Sequence, residues 1–343
     1  MLRDVAGTDK LVLGASGFLG SHVTRQLVER GDAVRVMLRP TSSTRGIDDL
    51  PVRRFYGDIL DDAVLREAMD GCDVVFHCVV DTRANLRDPA PLYRTNVEGL
   101  RHVLDVAVRA DLRRFVFTST IGTIGLGSGG LVDEDTPFTW GRKAGGYIGS
   151  RVAAEQLVMD YCREKALPAV ALCVSNTYGG GDWQPTPHGS LVAAAARGKL
   201  PFYLAGMATE VVGIDDAARA LVLAADHGRV GERYIISERY LSYRELYETA
   251  ARAAGRAAPR WGIPKPVMTA IGALGGLAAA ATRRDLPLNP TTVRLMHIMA
   301  PMDHGKAVRE LGWQPHDVHE SIRQAAEFFT RHPGNRSEFA RDR

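Results

Sequence analysis

The run Gly14-Ala15-Ser16-Gly17-Phe18-Leu19-Gly20 sets three glycines three residues apart. The apolar residues 10–14 precede it and a helical pattern follows from Phe18 to about residue 30, so the glycines sit where a strand feeds a helix. At such a junction the first N–H groups of the helix are unpaired and carry the positive end of its dipole, which suits a pyrophosphate. Gly14 and Gly17 allow a tight turn and close approach to phosphate, with Ser16, Phe18 and Leu19 supplying backbone beside it; Gly20 lets the helix lie close to the sheet. About twenty residues on, where an acid would hold a ribose 2′-hydroxyl, the chain reads Leu38-Arg39. Arg39 can fork onto a 2′-phosphate, with hydroxyls of Thr41, Ser42 or Ser43 beside it, so NADP(H) is favoured over NAD(H). The plainer alternative for Arg39 is a solvated surface side chain.

Those residues need a scaffold of alternating elements, and the apolar pattern supplies one. Strand-like runs occur at 33–38, 52–56, 73–79, 114–118 and 169–174, separated by helical patterns at 61–70, 91–110 and 148–166. Parallel strands require crossovers and helices are the usual crossover, so the expected fold class is α/β: a Rossmann-type, doubly wound parallel sheet. After about Asn176 the pattern changes. Residues 179–189 read as loop, and isolated strands such as 232–236 are mixed with helices. The expected division is an NADP-binding domain over 1–176 with strand and helix returns near 211–236, a smaller α+β substrate subdomain over 177–330, and a frayed tail over 331–343. The 343 residues, 45% hydrophobic and 24% charged, suit about two folding units and exclude a disordered or fibrous chain.

Charge and cysteine usage narrow the partners. Forty-three Lys+Arg against 40 Asp+Glu leave a formal charge of +3 without a long single-sign run, which argues against nucleic acid. Cys72, Cys78, Cys162 and Cys173 form no metal-ligand spacing, so no metal is expected, and reduced thiols fit a cytoplasmic location. Met1 to Val5 carries no signal-like apolar stretch, and the sequon Asn335-Arg336-Ser337 is read as accidental. Residues 266–282 hold no charge but are rich in Ala and Gly, so a buried or interfacial helix is expected rather than a transmembrane span, with peripheral membrane contact left open. A small-molecule substrate is the expected partner, and a homodimer stays open.

The glycine spacing together with Tyr147-Ile148-Gly149-Ser150-Arg151 resembles the extended short-chain dehydrogenase/reductase superfamily, the NAD-dependent epimerase/dehydratases. Gly57-Asp58-Ile59 is similar to its adenine-contacting turn, and Val75-Phe76-His77-Cys78-Val79-Val80 to its fourth strand. Asn96-Val97-Glu98-Gly99 matches the start of its next helix, and Thr118-Ser119-Thr120 its hydroxyl strand. Later matches are Tyr178-Gly179-Gly180-Gly181-Asp182, Ile214-Asp215-Asp216-Ala217 and the stretch from Lys306 to Trp313, so the likeness spans roughly residues 10–330. Within the superfamily the chain is most similar to dihydroflavonol-reductase-like proteins, including bacterial hopanoid-associated sugar epimerases, and more loosely to hydroxysteroid dehydrogenases. Gln184-Pro185-Thr186-Pro187-His188-Gly189 points to the bacterial branch.

The resemblance implies a catalytic set of Thr120, Tyr147 and Arg151: Thr120 positions a substrate carbonyl, Tyr147 donates the proton, and the nicotinamide gives hydride. A phenol of pKa ~10 needs a nearby cation, and four residues along a helix put Arg151 on its face. The resemblance also implies cofactor contacts at Asp58, Ile59, Val79 and Val80. At Val174 to Thr177 the family usually has proline, and Val174-Ser175-Asn176-Thr177 departs from it. Arg151 departs too, since the family has Lys there and Arg does not release a proton near neutral pH. Asp81 either reaches substrate or solvates a loop rim, and Tyr147 could be only a buried aromatic. The expected function is hydride transfer between NADP and a carbonyl or secondary alcohol of a hydrophobic small molecule, a pocket that Trp183, Phe202, Tyr203, Leu204 and 266–282 would line or merely pack. The alternatives are a nucleotide-sugar epimerase or dehydratase, and an NADP-binding redox sensor.

Overall fold

The computed structural model describes residues 9–127 and 129–333. The expected tail beyond 333, the sequon and the first eight residues lie outside them.

Strands β1 (Asp9–Leu13), β2 (Val34–Leu38), β3 (Arg53–Tyr56), β4 (Cys72–His77), β5 (Arg114–Thr120) and β6 (Ala169–Val174) alternate with helices. These are α1 (Phe18–Glu29), α2 (Asp62–Met69), α3 (Ala90–Tyr93), α4 (Leu100–Ala107) and α5 (Gly145–Lys165). Next come β7 (Asn176–Tyr178), α6 (Pro187–Ala196), β8 (Phe202–Ala205), β9 (Ala208–Gly213), α7 (Ile214–His227), β10 (Arg233–Ile236), β11 (Arg239–Ser242) and α8 (Tyr243–Ala253). The chain continues through β12 (Trp261–Pro264), α9 (Lys265–Thr282), α10 (Pro290–Leu295), α11 (Gly305–Leu311) and α12 (Val318–Arg331). Seven strands form one parallel sheet in the order β10-β6-β5-β4-β1-β2-β3. The chain is thus a Rossmann-type α/β fold, with strand order reversing at β1 and placing the switch-point crevice beside the glycine turn.

Period-two alternation along the strands explains both helical layers. Val12, Val36, Val74 and Val116 face one side, where they bury Val23 and Leu27 of α1 and Leu221 of α7. Leu11, Leu13, Val75 and Phe115 face the other, against Leu65 of α2, Val103 of α4 and Val158 of α5. β7, β9 and β11 form a separate three-stranded sheet and β8 pairs with β12, while Tyr178, Val192, Leu246 and Phe329 pack α6, α8 and α12 into a third core.

Several local readings are corrected. The loop expected over 179–189 ends at Thr186, whose hydroxyl accepts the Gly189 N–H, and Pro187 opens α6 because a first helical residue needs no N–H. The helix expected over 91–110 contains a wide turn of π-helical geometry, Arg94–Gly99, that swings Asn96 toward β4. The segment 266–282 does form a helix, but it is largely exposed: Met268, Gly272 and Ala279 of α9 are buried, and Ile271 is half-buried against the third core. Trp183 and Leu204 use their apolar surface in packing, Trp183 edge-on to Phe328 at 4.9 Å and Leu204 inside the third core. Among the described residues, no helix is long and apolar enough to cross a membrane.

Candidate functional site

The glycine turn is built by close approach. Gly14 has φ +85°, and a Cβ there would lie 2.8 Å from the Cys78 carbonyl carbon and 2.9 Å from the Val79 nitrogen, so the turn rests on the end of β4. A Cβ on Gly20 would lie 2.2 Å from the Gly14 oxygen. The Gly17 N–H donates to that same oxygen at 3.0 Å, and α1 begins at Phe18 with no side-chain cap. Its first-turn N–H groups, on Phe18, Leu19 and Gly20, therefore point outward beside half-buried Ser16, a preorganised anion cradle.

Arg39 is exposed directly beyond β2, where the Ser42 N–H donates to its carbonyl at 2.9 Å and folds Thr41, Ser42 and Ser43 back beside it. Asp58 Oδ1 accepts the Leu60 N–H at 3.0 Å, and Ile59 lies against Gly99, where a Cβ would meet its Cδ1 at 2.4 Å. Val79 is half-buried and Val80 is exposed at the mouth of the sheet. Val174 closes β6 in the core, whereas Thr177 lies in β7, paired with Val212 and outside the main sheet.

On the other side of the crevice, Tyr147 and Arg151 share one face of α5, one turn apart. Arg151 is buried: Nη2 donates to the Thr118 carbonyl of β5, the guanidinium carbon lies 5.2 Å from the Phe117 ring centre, and Nη1 has no partner among the described residues. Burial pushes the Tyr147 phenol above the ordinary tyrosine range, the Arg151 charge pulls it back, and Asp81 raises it again. Burial lowers Arg151, opposed by Tyr147 and Glu155. Thr120, half-buried at the end of β5, accepts the Gly122 N–H on Oγ1 at 3.2 Å, which occupies a lone pair and leaves its proton to donate. Ser119 faces the opposite way and donates to Glu155.

The sequence assigned no site role to Asn96, Glu155 or His77. Asn96 Nδ2 donates to the Asp81 carbonyl at 3.1 Å and to Ser150 Oγ at 3.0 Å, and its Oδ1 accepts the Asp81 N–H at 2.8 Å, tying the loop after β4 to α5. Asp81 itself is held by Arg83 at 2.6 Å. Glu155, one turn beyond Arg151, is buried and receives Thr123 Oγ1 at 2.9 Å and Arg233 Nη1 at 2.8 Å. The spacing Tyr147, Arg151, Glu155 carried that signal. His77, buried beneath α5 with no partner on either ring nitrogen among the described residues, is pushed down to about 3 by burial and by Arg151, so its imidazole is neutral.

The residues present fit a dinucleotide. The Gly14–Gly20 cradle is too close for any Cβ at two of its glycines, the α1 N–H groups face outward, and the orphaned Arg151 Nη1 is a donor awaiting a hydroxyl. Residues 10–237 match the NAD dependent epimerase/dehydratase family. The chain belongs to that family. A protein of Synechocystis provisionally named dihydroflavonol 4-reductase is 28% identical over 94% of each chain. The sterol demethylase protein B of Methylococcus capsulatus is 28% identical over 93% of this chain and 97% of its own. The crystal structure of gox2253 superposes with a TM-score of 0.84 at 30% identity, covering 96% of this chain and 99% of that one. As a member of the extended short-chain dehydrogenase/reductases, the chain has the fold and cofactor class of NAD(P)-dependent oxidoreductases and epimerases.

Proposed function

We propose that the protein is an NADP-dependent oxidoreductase that interconverts a carbonyl and a secondary alcohol on a hydrophobic small molecule. The observation that carries this reading is the alignment of Tyr147 and Arg151 on α5, across the crevice from the glycine cradle, with Thr120 at the adjoining strand end. The turn Gly14 to Gly20, including Ser16, Gly17, Phe18 and Leu19, would hold the pyrophosphate, Arg39 the 2′-phosphate and Asp58-Ile59 the adenine side. Val79, Val80, Val174, Thr177, Tyr147 and Arg151 would lie toward the nicotinamide half. When bound, the cofactor supplies or accepts hydride.

The chain's own residues do the rest. Thr120 donates a hydrogen bond to the substrate oxygen, and Tyr147 delivers its phenolic proton to that oxygen. The Arg151 charge lowers the cost of the resulting phenolate but keeps its own protons, so Tyr147 is recharged from solvent. The sterol in the name of the Methylococcus relative supports an apolar substrate.

Two measurements test the reading. A charge-assisted bond from Arg39 contributes about 1.5–3 kcal/mol, so NADPH binds at least about tenfold more tightly than NADH, and Arg39→Ala loses most of that preference. Equal dissociation constants overturn the cofactor assignment. Nicotinamide absorbance, followed with a panel of lipophilic ketones, aldehydes and nucleotide sugars, separates the chemistry: net oxidation of NADPH by a ketone is expected, and sugar conversion without net oxidation means an epimerase. The second reading, an NADP-binding sensor without turnover, is favoured by Arg151 in place of lysine; binding without any conversion would establish it.

A further inference from the structure

Among the described residues, nothing covers the apolar stripe of α9. Val267, Ala270, Leu274, Leu277 and Ala281 recur at helical spacing and are exposed; Leu274 and Leu277 are 66% and 69% open, and Trp261 in the preceding strand is 71% open. Isolated exposed leucines are ordinary, but these recur along one face of the helix, and an exposed tryptophan lies in the strand that leads into it. Its border is predominantly cationic, with Asp285 beside Arg284 the exception. From residue 249 to 284 there is no Asp or Glu, whereas Arg256, Arg260, Lys265, Arg283 and Arg284 are all exposed and form no ion pair among the described residues. Cations therefore sit at both ends of the uncharged run 266–282.

We propose that α9 and Trp261 form an in-plane docking surface for an anionic phospholipid bilayer. An apolar stripe with an aromatic anchor enters the boundary between headgroups and acyl chains, and the flanking cations pair with lipid phosphates. The helix lies on the bilayer and does not span it, in keeping with its 18 residues and its Ala and Gly content. Charge argues against a second copy of the chain as occupant, because a two-fold contact through this face would bring together two borders in which five exposed cations face one carboxylate, Asp285. Arg87, in the loop that leads from Asp81, donates from Nη1 to the Ala279 carbonyl at 3.3 Å and from its N–H to Asp285 at 2.9 Å, so the covered side of α9 is attached to the loop that follows β4. The docking inference rests on exposure and charge and is independent of the substrate.

The test is co-sedimentation of the full chain with vesicles of phosphatidylcholine alone and of phosphatidylcholine mixed with phosphatidylglycerol. Binding is expected only to the mixed vesicles, with release by salt as exposed charges are screened. The double variant Leu274→Glu/Leu277→Glu should bind at least about tenfold more weakly. Arg283→Gln/Arg284→Gln should bind more weakly and with a shallower salt dependence. Unchanged melting curves and NADPH titrations establish that both variants remain folded, and Trp261→Ser provides a third variant should the glutamates disturb α9. Failure of the parent to bind mixed vesicles, or equal binding by the leucine variant, overturns the proposal. A parent dimer that the leucine variant splits, without vesicle binding, assigns the face to self-association instead.

Discussion

Arg151 stands where the resemblance implies a lysine, and its surroundings show what an arginine at that place does. A buried guanidinium stacked on Phe117 and bonded to the Thr118 carbonyl is fixed in place, and it serves as a charge rather than as a proton carrier. On the proposed mechanism Tyr147 must carry its proton in the reductive direction, and burial already holds the phenol above its ordinary value. The expected reductive rate is then flat through neutral pH and falls only as alkaline solution removes the phenolic proton. Tyr147→Phe should lower kcat about 10²–10⁴-fold while leaving the NADPH dissociation constant unchanged. Arg151→Lys should keep measurable activity with a displaced alkaline limb. If Tyr147→Phe turns over as fast as the parent, Tyr147 is not the proton donor. The tyrosine–arginine pair was legible through the resemblance, and helical spacing puts the two side chains on one face. His77 was not, because an apolar strand reads the same whether its last ring is histidine or phenylalanine; its isolation appears only once α5 covers it.

At the scale of elements, the glycine turn and the start of α6 show how differently two junctions are specified. The first depends on space. A methyl on Gly20 would collide with the Gly14 backbone at 2.2 Å, whereas one on Gly17 would meet it at 3.3 Å. Gly20→Ala should therefore cost about 1–3 kcal/mol of stability and abolish NADPH binding, while Gly17→Ala should lower the melting temperature by less; equal effects would mean that α1 can move off the sheet. The second depends on a buried carboxyl. Asp182 Oδ2 accepts the Thr186 N–H at 2.9 Å and its hydroxyl at 3.0 Å, but Oδ1 has no partner among the described residues, and burial pushes the group up to about 7. A carboxyl raised in the folded state binds a proton that the unfolded chain has released. Its contribution to stability is thus present at acid pH and lost as pH rises through the interval from about 4 to 7. Asp182→Asn, which keeps an oxygen acceptor without the charge, should raise the melting temperature at pH ~8 more than at pH ~5. A uniform change at both values would mean that Asp182 stays ionised throughout. From the sequence the strands and helices of the main sheet were readable by their apolar periods, but the α6 start was read as loop because its prolines and glycines are loop residues until Thr186 is seen as a cap.

The whole molecule is tied together by segments that cross between the main sheet and the smaller layers. β6 runs directly into β7 and β10 into β11, so the same strands that end the large sheet begin the small one. α7 returns from β9 to pack on α1, where His22 pairs with Asp215 at 2.7 Å and Gln26 donates to the Asp215 carbonyl at 2.8 Å. Buried Asp216 then receives the His316 N–H at 2.8 Å, and the Trp313 indole donates to the Asp216 carbonyl at 2.8 Å, fastening the approach to α12 onto the sheet side. A sequence division near residue 176 marks where the apolar pattern changes, but pattern says nothing about how often a chain goes back. With this many crossings neither part can unfold without exposing the other's core, and the expected behaviour is a single thermal transition with equal calorimetric and van't Hoff enthalpies. Cofactor binding to the cradle must then stabilise both parts alike: NADPH at 100 times its dissociation constant adds about 2.7 kcal/mol and moves the entire transition upward. Differential scanning calorimetry with and without NADPH checks this, and two transitions of which only one responds to the cofactor would show that the smaller layers fold independently of the sheet.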